Sequence, residues 1–377
     1  MPRCFLLASI LAFGLPLPST ARSPYGTSQL RADDPTVEQA HDYLKEGGKL
    51  NADQFLKLDA RLQSDTTNLP DRLRQIGYFY QQAGMDGRIS DGPGGKALVG
   101  LVEHHPTFEL AADLTSAVLP PAFDDVARQW LAVAAANPTD AAIAGNAGVF
   151  LTNVTSHFQT KHIGEGKVLL LKAHQLDPQN PRWPRQLARA HAPLLDIKTP
   201  GTVEIATRDA CRTGLNYLEV AYDLTDEKTR VTAGQKGEFF LLEMAEMALA
   251  ANESPRAKAY ASDLLQSLDD TTAKTNWNYG NAVYNGNLIL GHVALAEGNI
   301  PEAKKFLLAA ARTPGSPQLN SFGPNMSLAE QLLMKGEKQV VLEYIELCRK
   351  FWKRGGARLD ELKKAVEQGT KPKFSKY

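Results

Sequence analysis

Within "NPRWPRQLARAH", Arg182, Arg185 and Arg189 recur at three- and four-residue spacing, which places them on one face of a helix. A guanidinium fork can grip a carboxylate through two parallel hydrogen bonds, a geometry that lysine does not copy. Leu187, Ala188 and His191 take the packing side, so the arginines are expected to point outward, either into a binding groove or simply into solvent. A second unusual stretch is "NWNYGNAVYNGN", where Asn276, Asn278, Asn281, Asn285 and Asn287 interleave with Trp277, Tyr279 and Tyr284. Amides and aromatics together suit the recognition of peptide backbone or sugar, because they hydrogen-bond and stack without net charge. They suit a helix start equally well, since asparagine is a good cap.

The eight histidines offer less. His104 and His105 precede Pro106 at the end of a helix, where a cation complements the dipole. Adjacent residues point about 100° apart on a helix, a poor arrangement for sharing one metal. His157 and His162 flank a turn near Glu165 and are the candidates for a metal site, although such a site needs three or four converging groups. His191 reads better as a packed aromatic substitute. There is no G-x-S-x-G, no H-E-x-x-H, no paired C-x-x-C and no Walker loop; "DGPGGK" lacks the spacing and the preceding strand. No catalytic residue, resident metal or cofactor is therefore predicted, and an enzyme is not expected.

The chain that must position these residues has 377 of them, 43% hydrophobic and 22% charged, enough for a large folded body. Its 42 basic and 42 acidic residues balance, which argues against a dedicated nucleic-acid binder. The start, "MPRCFLLASILAFGLPLPSTARS", has a basic residue, an apolar run from Phe5 to Leu17 and a small-residue site at Ser19-Thr20-Ala21. That is the form of a secretory signal peptide cleaved near Ala21, and it predicts a periplasmic or secreted protein; an uncleaved anchor is the rival reading. No later stretch has the length of apolar sequence that a membrane span needs. Cleavage leaves Cys211 and Cys348, each on an apolar helical stripe, and both are expected to be buried free thiols.

Residues 22 to 35 read as a flexible linker. From Thr36 onward nearly every long segment carries helical spacing, clean strand alternation is absent, and breakers such as "DGPGG", "ANPTD", "ANESP" and "RTPGSP" punctuate it. An all-α fold follows. In "LILGHVALAEGNIPEAKKFLLAAARTPGSPQ", Leu290-Gly291 and Ala294 lead to a turn at Gly298, and Ala303, Leu307 and Ala310 then line one face before Pro314. A glycine in a helix interior costs roughly 0.5–1 kcal/mol relative to alanine, so Gly291 is read as needed for close packing. The pattern recurs with drift. Ile76-Gly77-x-x-Tyr80 with Gly84 opens one pair, which Leu98 and Leu101 close beyond an insertion. Ala127, Leu131 and Ala134 form another second helix, as do Gly166, Leu170 and Ala173. Leu187-Ala188 and His191 pair with Gly214, Leu218 and Ala221. Met244-Ala245 and Asn252 pair with Ala257, Ala261 and Leu264, and Leu328-Ala329, Leu332 and Gly336 pair with Val341, Ile345 and Cys348.

This order of large and small residues, turn glycine and terminal proline resembles the tetratricopeptide-repeat family over residues 36 to 352. The run from "RTPGSPQLNSF" to "ELCRKFW" is also similar to the end module of bacterial repeat proteins of no assigned activity. The resemblance implies an α-solenoid of stacked antiparallel helix pairs wound into a right-handed superhelix, with residues 353 to 377 as a capping helix and basic tail. It further implies a concave face, lined by first helices, that binds a protein or peptide. Some members hold a peptide's C-terminal carboxylate there with Asn, Lys and Arg. By face and residue type, Arg182, Arg185 and Arg189 would match this, with Tyr284, Asn285 and His292 in a later repeat and Arg74 and Tyr78 in an early one. A metal or enzymatic site built across repeats, and an envelope-polymer site at the Asn/aromatic segment, are the other readings.

Overall fold

The computed structural model describes residues 34–83, 89, 92–116, 118–119, 122–153, 161–192, 205–226, 236–268, 276, 278–370 and 372–374. The leader at 1–21, the linker up to residue 33, Gly84, His157 and Trp277 lie outside them. The described residues are helices and turns, with one isolated bridge between Ile89 and Val118. Among them no helix is long and apolar enough to cross a membrane. They form two compact units, divided between Pro193 and Leu194.

In the first unit, α1 (Val37–Gly48), α2 (Ala52–Ser64) and α3 (Leu69–Gln82) are followed by α4 (Pro93–His104) and the short α5 (Ala111–Ser116). Then come α6 (Ala122–Ala136), α7 (Ala141–Thr152), α8 (Ile163–Leu176) and α9 (Arg182–His191). Local sequence starts several of them. Thr36 with Gln39 and Asn51 with Gln54 form capping boxes ahead of α1 and α2, and the side chains of Asn68 and Asp140 cap α3 and α7.

The pairing in this unit departs from the sequence pattern. Gly77 was expected to open a repeat closed by the helix of Leu98, but α3 packs chiefly on α1, and α4 on α6. The reason is a mutual notch. A Cβ on Gly77 would overlap the Leu44 carbonyl oxygen, and one on Gly47 would overlap the Arg74 carbonyl oxygen, so the two backbones touch where neither residue has a side chain. Helices α2 and α5 are interposed within these pairs. Helices α7 and α8 do pack closely as consecutive partners, as the Gly166, Leu170 and Ala173 face requires. The division between units also separates α9 from the Gly214 helix, two elements that the pattern joins in one repeat.

The second unit runs α10 (Ile205–Leu224), α11 (Lys236–Ala250), α12 (Ser254–Gln266), α13 (Tyr279–Ala296) and α14 (Ile300–Ala311). It continues with α15 (Pro317–Phe322), α16 (Ser327–Met334), α17 (Lys338–Cys348), a 3₁₀ turn at Lys353–Gly355 and α18 (Gly356–Glu367). Here the repeat is regular. The hairpins α11–α12, α13–α14 and α16–α17 share one turn, with Asn252, Gly298 and Gly336 left-handed at φ of 61°, 77° and 87°. In each, the next N–H reaches back to close the first helix: Glu253 to Ala248 O at 2.9 Å, Asn299 to Ala294 O at 2.8 Å and Glu337 to Leu332 O at 3.0 Å.

The second helices fill the hairpins with the faces read from the sequence, and Ala257, Ala261, Leu264, Ala303, Leu307, Ala310, Val341, Ile345 and Cys348 are all buried. Helix α13 packs on α11, α12, α14 and α16, so successive hairpins stack. This is the α-solenoid manner of building a core, in which neighbouring pairs bury what one pair cannot. Helix α18 adds Leu359, Leu362 and Val366 to the same core. Cys211 and Cys348 are free and buried, as expected.

The shared turn gives a direct test. Nothing crowds the position a Gly298 Cβ would take, so Gly298→Ala should cost only the left-handed backbone strain, about 1–2 kcal/mol. Asn252→Gly, at the equivalent turn, should be neutral or slightly stabilising. Thermal denaturation of the two variants checks the contrast.

Candidate functional site

Helix α9 carries the three arginines, and the sequence around it fixes its position. Asn180 accepts from the Arg182 N–H at 3.1 Å to start the helix. Trp183, only 1% exposed, lies against Gly145 of α7, in a space that any side chain there would fill. Leu187 and Ala188 complete the packing side.

The opposite side corrects the expectation of outward-facing arginines. Arg182 and Arg185 are 3% and 6% exposed, and Arg189 is half-buried. Arg182 and Arg189 lie against α5 and the residues just before it. The Arg182 guanidinium donates to the Glu109 carbonyl at 3.1 Å and lies 4.9 Å from the Trp183 ring centre. Beside it, the Asp113 carboxyl of α5 feels both Arg182 and Arg189. Burial pushes that carboxyl above its ordinary value, and the two arginines pull only part of the shift back. Tyr80 of α3 completes the group. Its hydroxyl donates to the Leu114 carbonyl, and burial with the nearby Asp113 raises its pKa. At the far end of α9, His191 is half-buried near Lys167; burial first and the lysine second press its pKa down.

Asp113 and Glu109 were not singled out from the sequence. Glu109 takes part through its backbone carbonyl, which no side-chain pattern reports, and the one signal for Asp113 is an acid set within an otherwise apolar stretch. Of the two guanidinium groups that act on Asp113, Arg182 is buried and Arg189 is half-buried, so Arg189 is the one that solvent reaches.

The remaining predicted residues separate. In the first unit, Arg74 is paired with Asp71 at 3.0 Å and Glu46 at 2.8 Å and lies 4.5 Å over Tyr43. Burial raises the Asp71 carboxyl, but Arg61 and Arg74 outweigh it and hold that group below its ordinary range. Tyr78 is half-buried and stacks on Phe55, with ring centres 4.1 Å apart.

In the second unit, Tyr284 and His292 are core residues at 0% and 1% exposure, which corrects their placement on a binding face. Tyr284 donates to the Asn325 carbonyl at 2.6 Å, and its oxygen is 2.7 Å from that of Tyr344. The reason is that α13 is packed on several sides, so no stripe of it from Leu288 to Ala294 is left for solvent. Asn285 is half-buried. Much of the asparagine segment binds its own chain. The Asn276 side chain accepts from the Asn278 N–H at 2.9 Å, and Asn281 bonds Asn278, Gln318 and Ser316.

His162 faces Glu165 at 3.3 Å. Among the described residues no three His, Cys, Asp or Glu side chains converge as metal ligands.

No family model matches the chain, and no curated protein does. Among solved structures it is similar to one described as a human IFIT1 dimer with PPP-AAAA. The identity is 16%, the likeness covers 82% of this chain and 72% of that one, and the TM-score is 0.33. A likeness at that level adds nothing to what the chain's own helices establish: an all-α protein built from packed helix pairs.

Proposed function

We propose that this chain is an extracytoplasmic scaffold of the tetratricopeptide-like kind that binds segments of a partner protein, without catalysis of its own. The observation that carries the reading is the α9 cluster, where Arg189 is half-exposed beside a carboxyl that Arg182 also contacts electrostatically. A free carboxylate arriving at Arg189 meets a guanidinium already oriented by its neighbours, which lowers the ordering cost of binding. The extracytoplasmic location rests on the Phe5 to Leu17 run and the Ala21 site, and a mature N-terminus at Arg22 on intact-mass analysis is its check.

The binding reading is tested with peptides bearing either a free or an amidated C-terminus, by fluorescence anisotropy. The expected result is binding of free-acid peptides only, weakened at least roughly tenfold in Arg189→Ala, the loss that removing a charge-assisted hydrogen bond would give. Equal binding of both forms, or an unaffected variant, contradicts it.

A further inference from the structure

His292 has no role in the binding reading, and its surroundings are unusual for a histidine. It lies on α13, 1% exposed, where α13 meets the following hairpin. The two helices are close there, since a Cβ on the adjacent Gly291 would overlap the Leu328 side chain of α16. The His292 Nε2 lies 2.9 Å from the Ser327 hydroxyl, and its Nδ1 has no hydrogen-bond partner. Ser327 is the first residue of α16, so the ring faces the positive end of that helix.

A neutral imidazole tolerates this position with one hydrogen bond. An imidazolium needs counter-charge as well as acceptors; here it meets the Ser327 hydroxyl and the Gln331 side chain, with no charged group acting on it and a helix N-terminus in front of it. On the ring itself, burial acts first and presses its pKa to about 4, and the Gln331 hydrogen bond works the other way. No charged group of α11, α12, α14 or α16 is among these influences: Glu330 of α16 is not, and Lys304 of α14 is engaged with Glu337 at 2.8 Å.

We propose that His292 is an acid-sensitive latch, whose protonation opens the joint between the α13–α14 hairpin and the α16–α17 hairpin. The sign follows from linkage. The folded group takes its proton near pH 4 and the exposed group near 6.5, so the latch is fully closed above pH 6.5 and loosens as pH falls toward 4. Between about pH 7.5 and about pH 5, the open fraction should rise about thirtyfold.

Cys348 of α17 is buried in the same core and reports the opening. The full chain is labelled with 4,4′-dithiodipyridine at both pH values, the modified site is read by mass spectrometry, and rates are normalised to a free thiol peptide. The expected result is about a thirtyfold rise at Cys348 in the wild type, absent in His292→Gln. If His292→Gln fails to fold, Ser327→Ala serves instead. It keeps the imidazole and should keep the same pH ratio over a higher baseline. A flat wild-type ratio, a rise that persists in His292→Gln, or a ratio lost in Ser327→Ala overturns the latch.

Discussion

Gly77→Val is expected to destabilise the first unit by about 3 kcal/mol, at the upper end of what overpacking costs. Propensity alone predicts the reverse, since valine is the better helix former by a few tenths of a kcal/mol. Packing decides the sign. The new Cβ would overlap the Leu44 carbonyl oxygen, and the obstacle is backbone on both sides, because Gly47 meets the Arg74 carbonyl in the same way. No side chain can rotate aside, so α1 and α3 must separate. Gly164 supplies the control. It is exposed within α8 with nothing near its absent Cβ, and Gly164→Ala should stabilise by roughly 0.5–1 kcal/mol. Urea unfolding followed by circular dichroism reads both. Similar small shifts in the two variants would contradict the α1–α3 notch.

Tyr284→Ala is expected to cost about 3–5 kcal/mol in the second unit, the range for truncating a buried large aromatic. The ring is fully buried among Leu288, Leu319, Met326 and Phe351. Its loss also strips the Asn325 carbonyl and the Tyr344 hydroxyl of their partner. Tyr284→Phe should keep the packing and lose about 1–2 kcal/mol, the cost of the hydroxyl bonds. A surface role for Tyr284 predicts unchanged stability in both variants, so the denaturation midpoints separate the two readings without any ligand.

How much of this was legible in the sequence differs between the units. The three hairpins of the second unit were readable because each carries its own punctuation. A left-handed turn residue follows a large-small pair, and small residues on the next helix receive it, as Leu290-Gly291, Gly298 and Ala303 do. In the first unit the same signals misled. Helix α2 has an amphipathic face of its own, and nothing in the spacing says that α3 looks back to α1 and not forward to α4.

The arginines were read correctly as one face and wrongly as exposed. Leu187 and Ala188 reveal the packed side of α9, but no local pattern reports that Glu109 and Asp113 meet the other. For His292 a signal existed. "LILGHVALA" is apolar all round, the mark of a helix buried on every side, and a polar residue inside such a run belongs to the core.

We propose that the α9 cluster takes up a partner through Arg189. This uptake is tested by chemical crosslinking in the cells that make the protein, comparing the wild type with Arg189→Ala of unchanged melting temperature. Arg189 is the residue to vary, because Arg182 and Arg185 are buried and their removal would disturb folding as well. The account predicts a crosslinked protein partner that the wild type captures and the variant loses. The same partners from both would return Arg189 to a purely structural part of the Asp113 cluster and contradict the binding site.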